Sequence, residues 1–247
     1  MNDAPSDETS VIRFNGICKR FGKTSVLQDV TFRVGTGATV GLVGINGAGK
    51  TTILKCLLDF CSVDSGTIDI FGNPHHSALS RQTLTYLPER FTPPHYLSAR
   101  EFLQFIQAVS GLAMDIAQAE EAASQFGLDR EALDRPVRLL SKGMTQKLGL
   151  AACMLSGRDL MVLDEPMSGL DPKARAQVKR VFRELKEKGR TLFFTSHSLA
   201  DIEEICDHML VLHRGQIAYS GQPRELSRKF GDANLELAFL RCIGSDG

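Results

Sequence analysis

The sequence predicts an α/β fold with a parallel central sheet, and three observations support that prediction. Short apolar segments alternate with helical patterns along the chain, which is the order of parallel strands joined by crossover helices. A glycine-rich loop over residues 44–52 connects one of these strands to one of these helices. The chain has 247 residues, 43% of them hydrophobic, which is enough for one or two domains that bury a sizeable core.

The first part of the chain is predicted to consist mainly of strands. β-Branched or alternating apolar residues lie between glycine-containing turns, and this pattern is typical of strands. The one clear helix in this part is expected from Thr51 to about Phe60. The five strands are expected at Ser10 to Phe14, Val26 to Val34, Thr39 to Val43, Gly66 to Phe71 and Leu84 to Leu87.

The middle of the chain is predicted to be a helical insertion. Apolar residues recur at helical spacing over residues 102–109, and a run rich in Ala, Glu and Gln follows to residue 126. The helical pattern continues to about Leu155. We therefore expect helices from Ser98 to about Leu155.

The last third returns to the β-α-β order. Leu160 to Leu163 and Thr191 to Thr195 are expected strands that flank a helix from about Pro172 to Lys188. Met209 to Leu212 and Gln216 to Tyr219 are expected to form a hairpin. The strand, helix, strand order again indicates a parallel sheet.

Composition excludes several classes of protein. Lys plus Arg and Asp plus Glu both total 29, so no overall basic field attracts nucleic acid or anionic lipid. The N-terminal residues lack the pattern of a signal peptide, and we expect a cytosolic chain that does not itself cross a bilayer. The six cysteines form no C-x-x-C pair. Their spacing predicts buried thiols rather than metal ligands or disulfides.

The strongest functional signal is the loop G-x-x-x-x-G-K-T that begins at Gly44, directly after an expected strand and before an expected helix. Glycines let backbone N–H groups wrap a polyphosphate, and the helix N-terminus adds a positive dipole. A lysine supplies a compact cation, and a threonine hydroxyl suits Mg²⁺. The sequence therefore predicts a nucleoside triphosphate site that includes Asn46, Gly47, Ala48, Gly49, Lys50, Thr51 and Thr52.

A pair of carboxylates follows the expected strand at residues 160–163. Successive strand residues point in opposite directions, so Asp164 and Glu165 are expected to face different points. One acid suits the Mg²⁺ shell and the other suits a water that attacks the γ phosphate. A strand that ends in solvated acids is common, and the interpretation depends on the phosphate loop.

A second helix start comes at Ser141, which is typical of a helix N-cap. That structural interpretation is complete without a function. The functional alternative is that the Ser141 hydroxyl and the Gly143 N–H face an anion. Since the phosphate loop already provides one helix start, the second would most simply serve a nucleotide bound to another subunit.

These motifs stand in a recognisable order. In chain order they are Phe21, the loop of residues 44–52, Glu89, residues 140–144, Asp164 with Glu165, residues 168–171, and His197. From about Val11 to about Leu226 the chain resembles the nucleotide-binding subunit of ABC transporters. The resemblance implies an ABC ATPase fold, with a P-loop NTPase (RecA-like) core, an antiparallel β subdomain and a helical subdomain at about residues 90–155.

The resemblance also implies roles for single residues. Phe21 would stack on adenine, and Ser141 and Gly143 would reach the nucleotide of a second copy in a head-to-tail homodimer. The residues implied in catalysis are Lys50, Glu165 and His197, and those implied at Mg²⁺ are Thr51, Asp164 and Glu89. Taken alone, Phe21 also fits a cap on an apolar patch, and His197 also fits a surface histidine.

Two departures from the commonest family pattern favour an exporter. Glu89 stands where an amide is usual, and Lys142 and Met144 stand where Gly and Gln are usual. Both variants are similar to those of exporter-type cassettes that work with a separate membrane subunit. The aromatic and proline-rich loop of residues 90–97 is expected to dock that permease, although it also fits a plain surface loop.

The combined prediction is an ATP hydrolase that binds ATP and Mg²⁺ and drives transport from the cytoplasmic face of the membrane. The expected organisation is a disordered N-terminus at residues 1–9, the ATPase domain at 10–230 and a C-terminal extension at 231–247. One alternative is a soluble ABC ATPase with a mechanical or nucleic-acid-related role, which the short insertion and zero net charge disfavour. Another is a nucleotide-gated scaffold that hydrolyses little ATP.

Overall fold

The computed structural model describes residues 10–232 and 234–244, and its strands form two sheets. The first strands are β1 (Ser10–Phe21), β2 (Thr24–Gly35), β3 (Thr39–Val43), β4 (Ser65–Ile70) and β5 (Asn73–Pro74). The later strands are β6 (Leu84–Leu87), β7 (Leu160–Leu163), β8 (Thr191–Thr195), β9 (His208–His213) and β10 (Gln216–Gly221). The smaller sheet has the order β2-β1-β4-β5, and the central sheet has the order β10-β9-β3-β8-β7-β6.

The central sheet is parallel except at one edge. β3 pairs in parallel with β8 and β9, and β7 pairs in parallel with β6 and β8. β10 pairs antiparallel with β9, which confirms the predicted hairpin. Three of the four inner strands, β3, β7 and β8, are buried along their whole length, as expected for a parallel sheet that is covered on both faces. The α/β prediction is confirmed.

Helices cover the central sheet and fill the predicted insertion. The first are α1 (Lys50–Leu57), α2 (Ala78–Gln82), α3 (Ala99–Val109), α4 (Ile116–Gln125) and α5 (Arg130–Leu133). The later ones are α6 (Lys142–Leu155), α7 (Pro172–Glu187), α8 (Leu199–Ile205), α9 (Pro223–Phe230) and α10 (Leu235–Cys242). Helices α3 to α6 occupy the stretch that the apolar spacing predicts to be helical, and a capping box at Ser98 fixes its start.

Two hydrophobic cores lie on opposite faces of the central sheet. Val162 and Phe193 face the core shared with the antiparallel sheet and α1. Their chain neighbours Leu163 and Phe194 face the core shared with the helical insertion and α7. This alternation follows from the two-residue period of a strand. The sheet is therefore held from both sides, and the ends of its strands are fixed relative to α1.

Two predicted boundaries were wrong. β1 continues to Phe21 rather than ending at Phe14, because shifts in its pairing register and a left-handed Gly16 interrupt the alternation that the sequence displays. α1 ends at Leu57 rather than near Phe60, because Asp59 takes a left-handed conformation with φ 59°.

The predicted domain limits stay predictions. Residues 1–9, expected to be disordered, lie outside the described residues. Strands β1 to β10 and helices α1 to α9 lie within the predicted ATPase domain at 10–230, and α3 to α6 lie within the predicted helical subdomain at about 90–155. α10 lies within the predicted extension of residues 231–247 and packs against α9, and its Leu235 and Ala238 are buried.

Candidate functional site

An open cleft of about 390 Å³ lies at the carboxyl ends of β3 and β7. Parallel α/β sheets commonly bind ligands at this edge. Most of the residues that the sequence analysis singled out meet there. The cleft is lined by Val26, Asn46, Gly47, Ala48, Gly49, Lys50, Thr51, Thr52, Glu89, Asp164, Glu165 and His197.

The phosphate loop runs from the end of β3 into α1. Gly49 precedes the helix with φ 113° and no side-chain cap, so the first amides of α1 are not capped by a side chain. Gly44 has a different constraint, because a Cβ there would lie 2.4 Å from the carbonyl oxygen of Leu212. The Lys50 ammonium donates a hydrogen bond of 2.7 Å to the Gly44 carbonyl oxygen, which folds this side chain back along the loop.

Thr195 organises the acidic side of the cleft. Its hydroxyl donates a 2.6 Å hydrogen bond to Asp164 Oδ1 and accepts one of 2.9 Å from the Glu165 N–H. Thr195 is fully buried, so water does not compete with Asp164 and Glu165 for its hydroxyl group. Glu165 has a left-handed backbone with φ 49°, which is uncommon for a residue with a Cβ and is often retained at functional sites.

Asp164 is an acid in an unfavourable environment. Burial is the main cause that raises the pKa of Asp164, and the negative charges of Glu89 and Glu165 act in the same direction. The hydrogen bond from Thr195 and the charge of Lys50 oppose this rise in pKa. A divalent cation would offset the repulsion among these carboxylates, since hard oxygen ligands are those that Mg²⁺ prefers.

His197 lies beside Glu165 at the mouth of the cleft. Its Nδ1 is 2.8 Å from Glu165 Oε2, and its side chain is 67% exposed. The short segment that carries it follows β8, where Ser196 Oγ accepts a hydrogen bond from the Ser198 N–H. The exposed imidazole can therefore contact both the carboxylate and a ligand in the cleft.

Three predicted site residues do not line this cleft. Phe21 lies at the end of β1, is half exposed, and packs below the Lys19 ammonium at 5.3 Å from the ring centroid. Ser141 caps α6, accepting a 3.2 Å hydrogen bond from the Met144 N–H. Gly143 lies in the first turn of the same helix. The predicted N-cap is thus confirmed.

The start of α6 contacts the segment that follows the acidic pair. A Cβ added at Gly143 would lie 3.7 Å from the Gly169 carbonyl oxygen. Farther along α6, the buried Gln146 donates a hydrogen bond of 3.1 Å to the Pro166 carbonyl oxygen. Helix α6 is therefore joined to the segment that follows β7 and carries Glu165.

Sequence reasoning gave no role to two residues of the site. Thr195 was predicted only as the last residue of a strand, although a threonine at the end of a buried strand could have indicated a hydrogen bond to a neighbouring strand end. Val26 lines the cleft from β2, and nothing in its local pattern distinguishes it from other strand residues.

Comparisons with known proteins agree with this geometry. The ABC transporter family matches residues 27–168, which include the phosphate loop and the acidic pair. A Synechocystis sp. protein described as an uncharacterized ABC transporter ATP-binding protein is 39% identical over 207 residues, which cover 83% of this chain and 58% of that protein. This chain thus spans a little more than half of that relative.

A relative with a named role and a solved structure give further matches. The Nod factor export ATP-binding protein I of Ralstonia nicotianae is 34% identical over 221 residues, covering 88% of this chain and 69% of that protein. A solved structure described as the ATP binding subunit of an ABC transporter superposes with a TM-score of 0.85 at 29% identity, covering 94% of this chain and 99% of that one. In the described part of the chain, none of the helices combines the length and apolar character that a membrane crossing requires. The chain belongs to the ABC transporter family, as one of its ATP-binding subunits.

Proposed function

We propose that this chain hydrolyses ATP at the interface of a head-to-tail homodimer and thereby drives export through a separate transmembrane subunit. The observation that carries the proposal is the convergence of the phosphate loop, two acids and a histidine in one cleft. Such a set supplies phosphate binding, a base and a γ-phosphate contact together. A binding module without hydrolysis would not need the base.

The phosphate loop binds the triphosphate in this proposal. The amides of residues 46–52 and the uncapped start of α1 donate hydrogen bonds to phosphate oxygens, and the Lys50 ammonium turns from the Gly44 carbonyl to the β and γ phosphates. Thr51 and Asp164 would hold Mg²⁺ with Glu89 nearby, because all three line the cleft and offer oxygen ligands. The ion would neutralise negative charge that develops on the phosphates.

Glu165 acts as the general base. Its carboxylate accepts a proton from the attacking water, and His197, 2.8 Å away, orients that carboxylate and contacts the γ phosphate. Thr195 fixes the Glu165 backbone through the hydrogen bond from its N–H. In this proposal the two acids serve different atoms, with Asp164 at the metal ion and Glu165 at the attacking water.

A second copy completes the site. Ser141 and Gly143 do not line the cleft of their own chain, and α6 presents its N-terminus elsewhere on the surface. In the proposed dimer this helix start faces the γ phosphate of the nucleotide held by the partner. Phe21, which is half exposed at the end of β1, would stack on the adenine.

The proposed membrane partner docks on the helical insertion. Tyr96, Phe105 and Val109 are at least half exposed there, and a groove between β6 and α3 contains Phe91 and Phe102. Export is favoured because the Ralstonia relative is named for Nod factor export. This partner would hold the chain at the cytoplasmic face of the membrane.

Replacing Glu165 by Gln tests the catalytic proposal. The amide keeps the size of the side chain but cannot take the proton, so we expect ATP turnover to fall by about 100-fold with ATP affinity retained. Steady-state hydrolysis and equilibrium nucleotide binding measure the two effects. Glu187→Gln, on the exposed end of α7, is the matched control. Equal turnover in E165Q and wild type would contradict the role of Glu165 as the base, and equally low turnover in both would favour the scaffold alternative.

A further inference from the structure

Two cysteines that are five residues apart in the sequence contact each other at the C-terminal end of α1. The Sγ atoms of Cys56 and Cys61 are 3.4 Å apart. Cys56 is fully buried in the last turn of α1, and Cys61 is half-buried just beyond the helix. One residue of the pair is therefore protected from solvent and the other is partly exposed to it.

The end of α1 explains this contact. The left-handed Asp59 reverses the chain after the helix, and the N–H groups of Phe60 and Cys61 both donate to the Lys55 carbonyl oxygen, at 2.8 and 3.3 Å. These bonds draw Cys61 back over the last helical turn. An uninterrupted helix would place residues five apart on different faces, which is why the sequence gives no hint of the pair.

The surroundings of the pair also bear on its chemistry. Burial is the main cause that raises the pKa of the Cys56 thiol to about 12, and the hydrogen bond with Cys61 adds to the rise. The positive charge of Lys19 opposes it, and this ammonium is held 3.3 Å from Asp64. Cys61 is thus the sulfur that meets a reagent first, and Cys56 is the sulfur that completes the exchange.

We propose that Cys56 and Cys61 form a reversible oxidation site, in which a low-molecular-weight disulfide converts the two thiols into an internal disulfide. The Cys61 thiolate attacks the reagent, forming a mixed disulfide and releasing one reagent thiolate. Cys56 gives up its proton and attacks the neighbouring Cys61 sulfur, which displaces the second reagent thiolate. The chain loses two protons and two electrons, and the reagent disulfide becomes two thiols.

Other cysteines of the chain are less suited to this reaction. Burial raises the pKa of Cys153 to about 11 and also raises the pKa of Cys206. The Cys18 sulfur contacts the Asp29 N–H on the antiparallel sheet rather than a second thiol that could complete a disulfide. We therefore expect selective oxidation at the Cys56–Cys61 pair, with Cys153 as an internal reference that stays reduced.

Peptide mapping of the full chain after treatment with oxidised glutathione tests the proposal. Trypsin cuts after Lys55 and next after Arg81, so both cysteines lie in the single peptide of residues 56–81. We expect this peptide to lose about two mass units and both alkylation sites, and to regain them with dithiothreitol. Cys242→Ser is the matched control and should not change that result.

Two variants separate the steps. In Cys61→Ser, we expect Cys56 to stay reduced because it is buried. In Cys56→Ala, we expect Cys61 to stop as a glutathione adduct. The proposal is overturned if peptide 56–81 of the unchanged chain stays reduced, retains glutathione, or appears cross-linked to a second chain. The Cys61→Ser result stands even if the buried Cys56→Ala substitution prevents folding.

Discussion

Helices α1 and α6 both begin near residues predicted to contact phosphate, but their first turns are built differently. α1 starts after a left-handed glycine, and its first amides have no side-chain cap. α6 starts after Ser141, whose hydroxyl already accepts the Met144 N–H. A helix start leaves up to four N–H groups without an intrahelical partner, and only at α6 does a side chain already accept from one of them. The first therefore points to a ligand in its own chain, and the second has a function only if another chain supplies the ligand.

The largest effect is expected at the α1 end. Lys50→Ala removes the charge that meets the β and γ phosphates, and charge-assisted hydrogen bonds of this kind are worth about 1.5–3 kcal/mol each. We expect ATP affinity to fall by about 100-fold, measured by equilibrium titration of the purified chain. Lys55→Ala, on the same helix and exposed, is the control. Unchanged affinity in K50A would mean that α1 is not the phosphate site.

The α6 end should respond differently. Ser141→Arg places a long cation at the capped helix start, so we expect ATP binding by the isolated chain to stay within about twofold while hydrolysis falls at least about tenfold. Titration and steady-state turnover measure the two quantities.

Loss of a helix cap must be separated from obstruction of a partner. Ser77 caps α2 with a hydrogen bond of the same length, 3.2 Å, as the one at Ser141, so Ser77→Arg reproduces the capping loss away from the site. If S77R and S141R lose the same activity, the effect is one of stability. Full activity in S141R would contradict the proposed head-to-tail homodimer.

The phosphate loop could be predicted from the sequence, but the hydrogen bonds of Thr195 could not. The phosphate site could be predicted because its sequence signal lies within one short loop. That signal consists of the glycines at 44, 47 and 49 and the Lys-Thr pair that follows them. The contact of Thr195 with Asp164 joins segments that are far apart in the sequence, so no local pattern predicts it. This hydrogen bond depends on β7 lying beside β8, with Leu163 paired to Phe194, and the central strand order is not the chain order.

The contact between Cys56 and Cys61 was missed for a related reason. The spacing of the cysteines predicted separate buried thiols, but the left-handed turn at Asp59 ends α1 early and folds the chain back. A propensity argument extends the helix to Phe60, since nothing in that segment is a strong helix breaker. Hydrogen bonds to a single carbonyl oxygen decided the outcome instead.

A smaller effect is expected where the acidic pair meets β8. Thr195→Val keeps the shape of the side chain but leaves the Glu165 N–H without its acceptor and Asp164 without its donor, and an unsatisfied buried group costs about 1–3 kcal/mol. We expect kcat to fall by about tenfold with KM for ATP changed by less than about twofold. Thr195→Ser restores the hydroxyl and should recover most of the rate. Failure of the serine to recover it would assign Thr195 to packing alone.

The smallest effect is expected at Glu89, the exposed acid of the α1 cleft. Glu89→Gln removes one negative charge from the proposed Mg²⁺ site, so the Mg²⁺ concentration for half-maximal turnover should rise by about twofold to threefold.

The negative charge of Glu89 also helps to raise the pKa of Asp164. A folded state whose acid has a raised pKa binds that proton more tightly than the unfolded state, so stability falls as pH rises above the ordinary aspartate pKa. E89Q should lessen that fall, which urea unfolding at acidic and neutral pH measures. An unchanged Mg²⁺ requirement, beside the Glu187→Gln control, would remove Glu89 from the metal site and leave Thr51 and Asp164 as its residues.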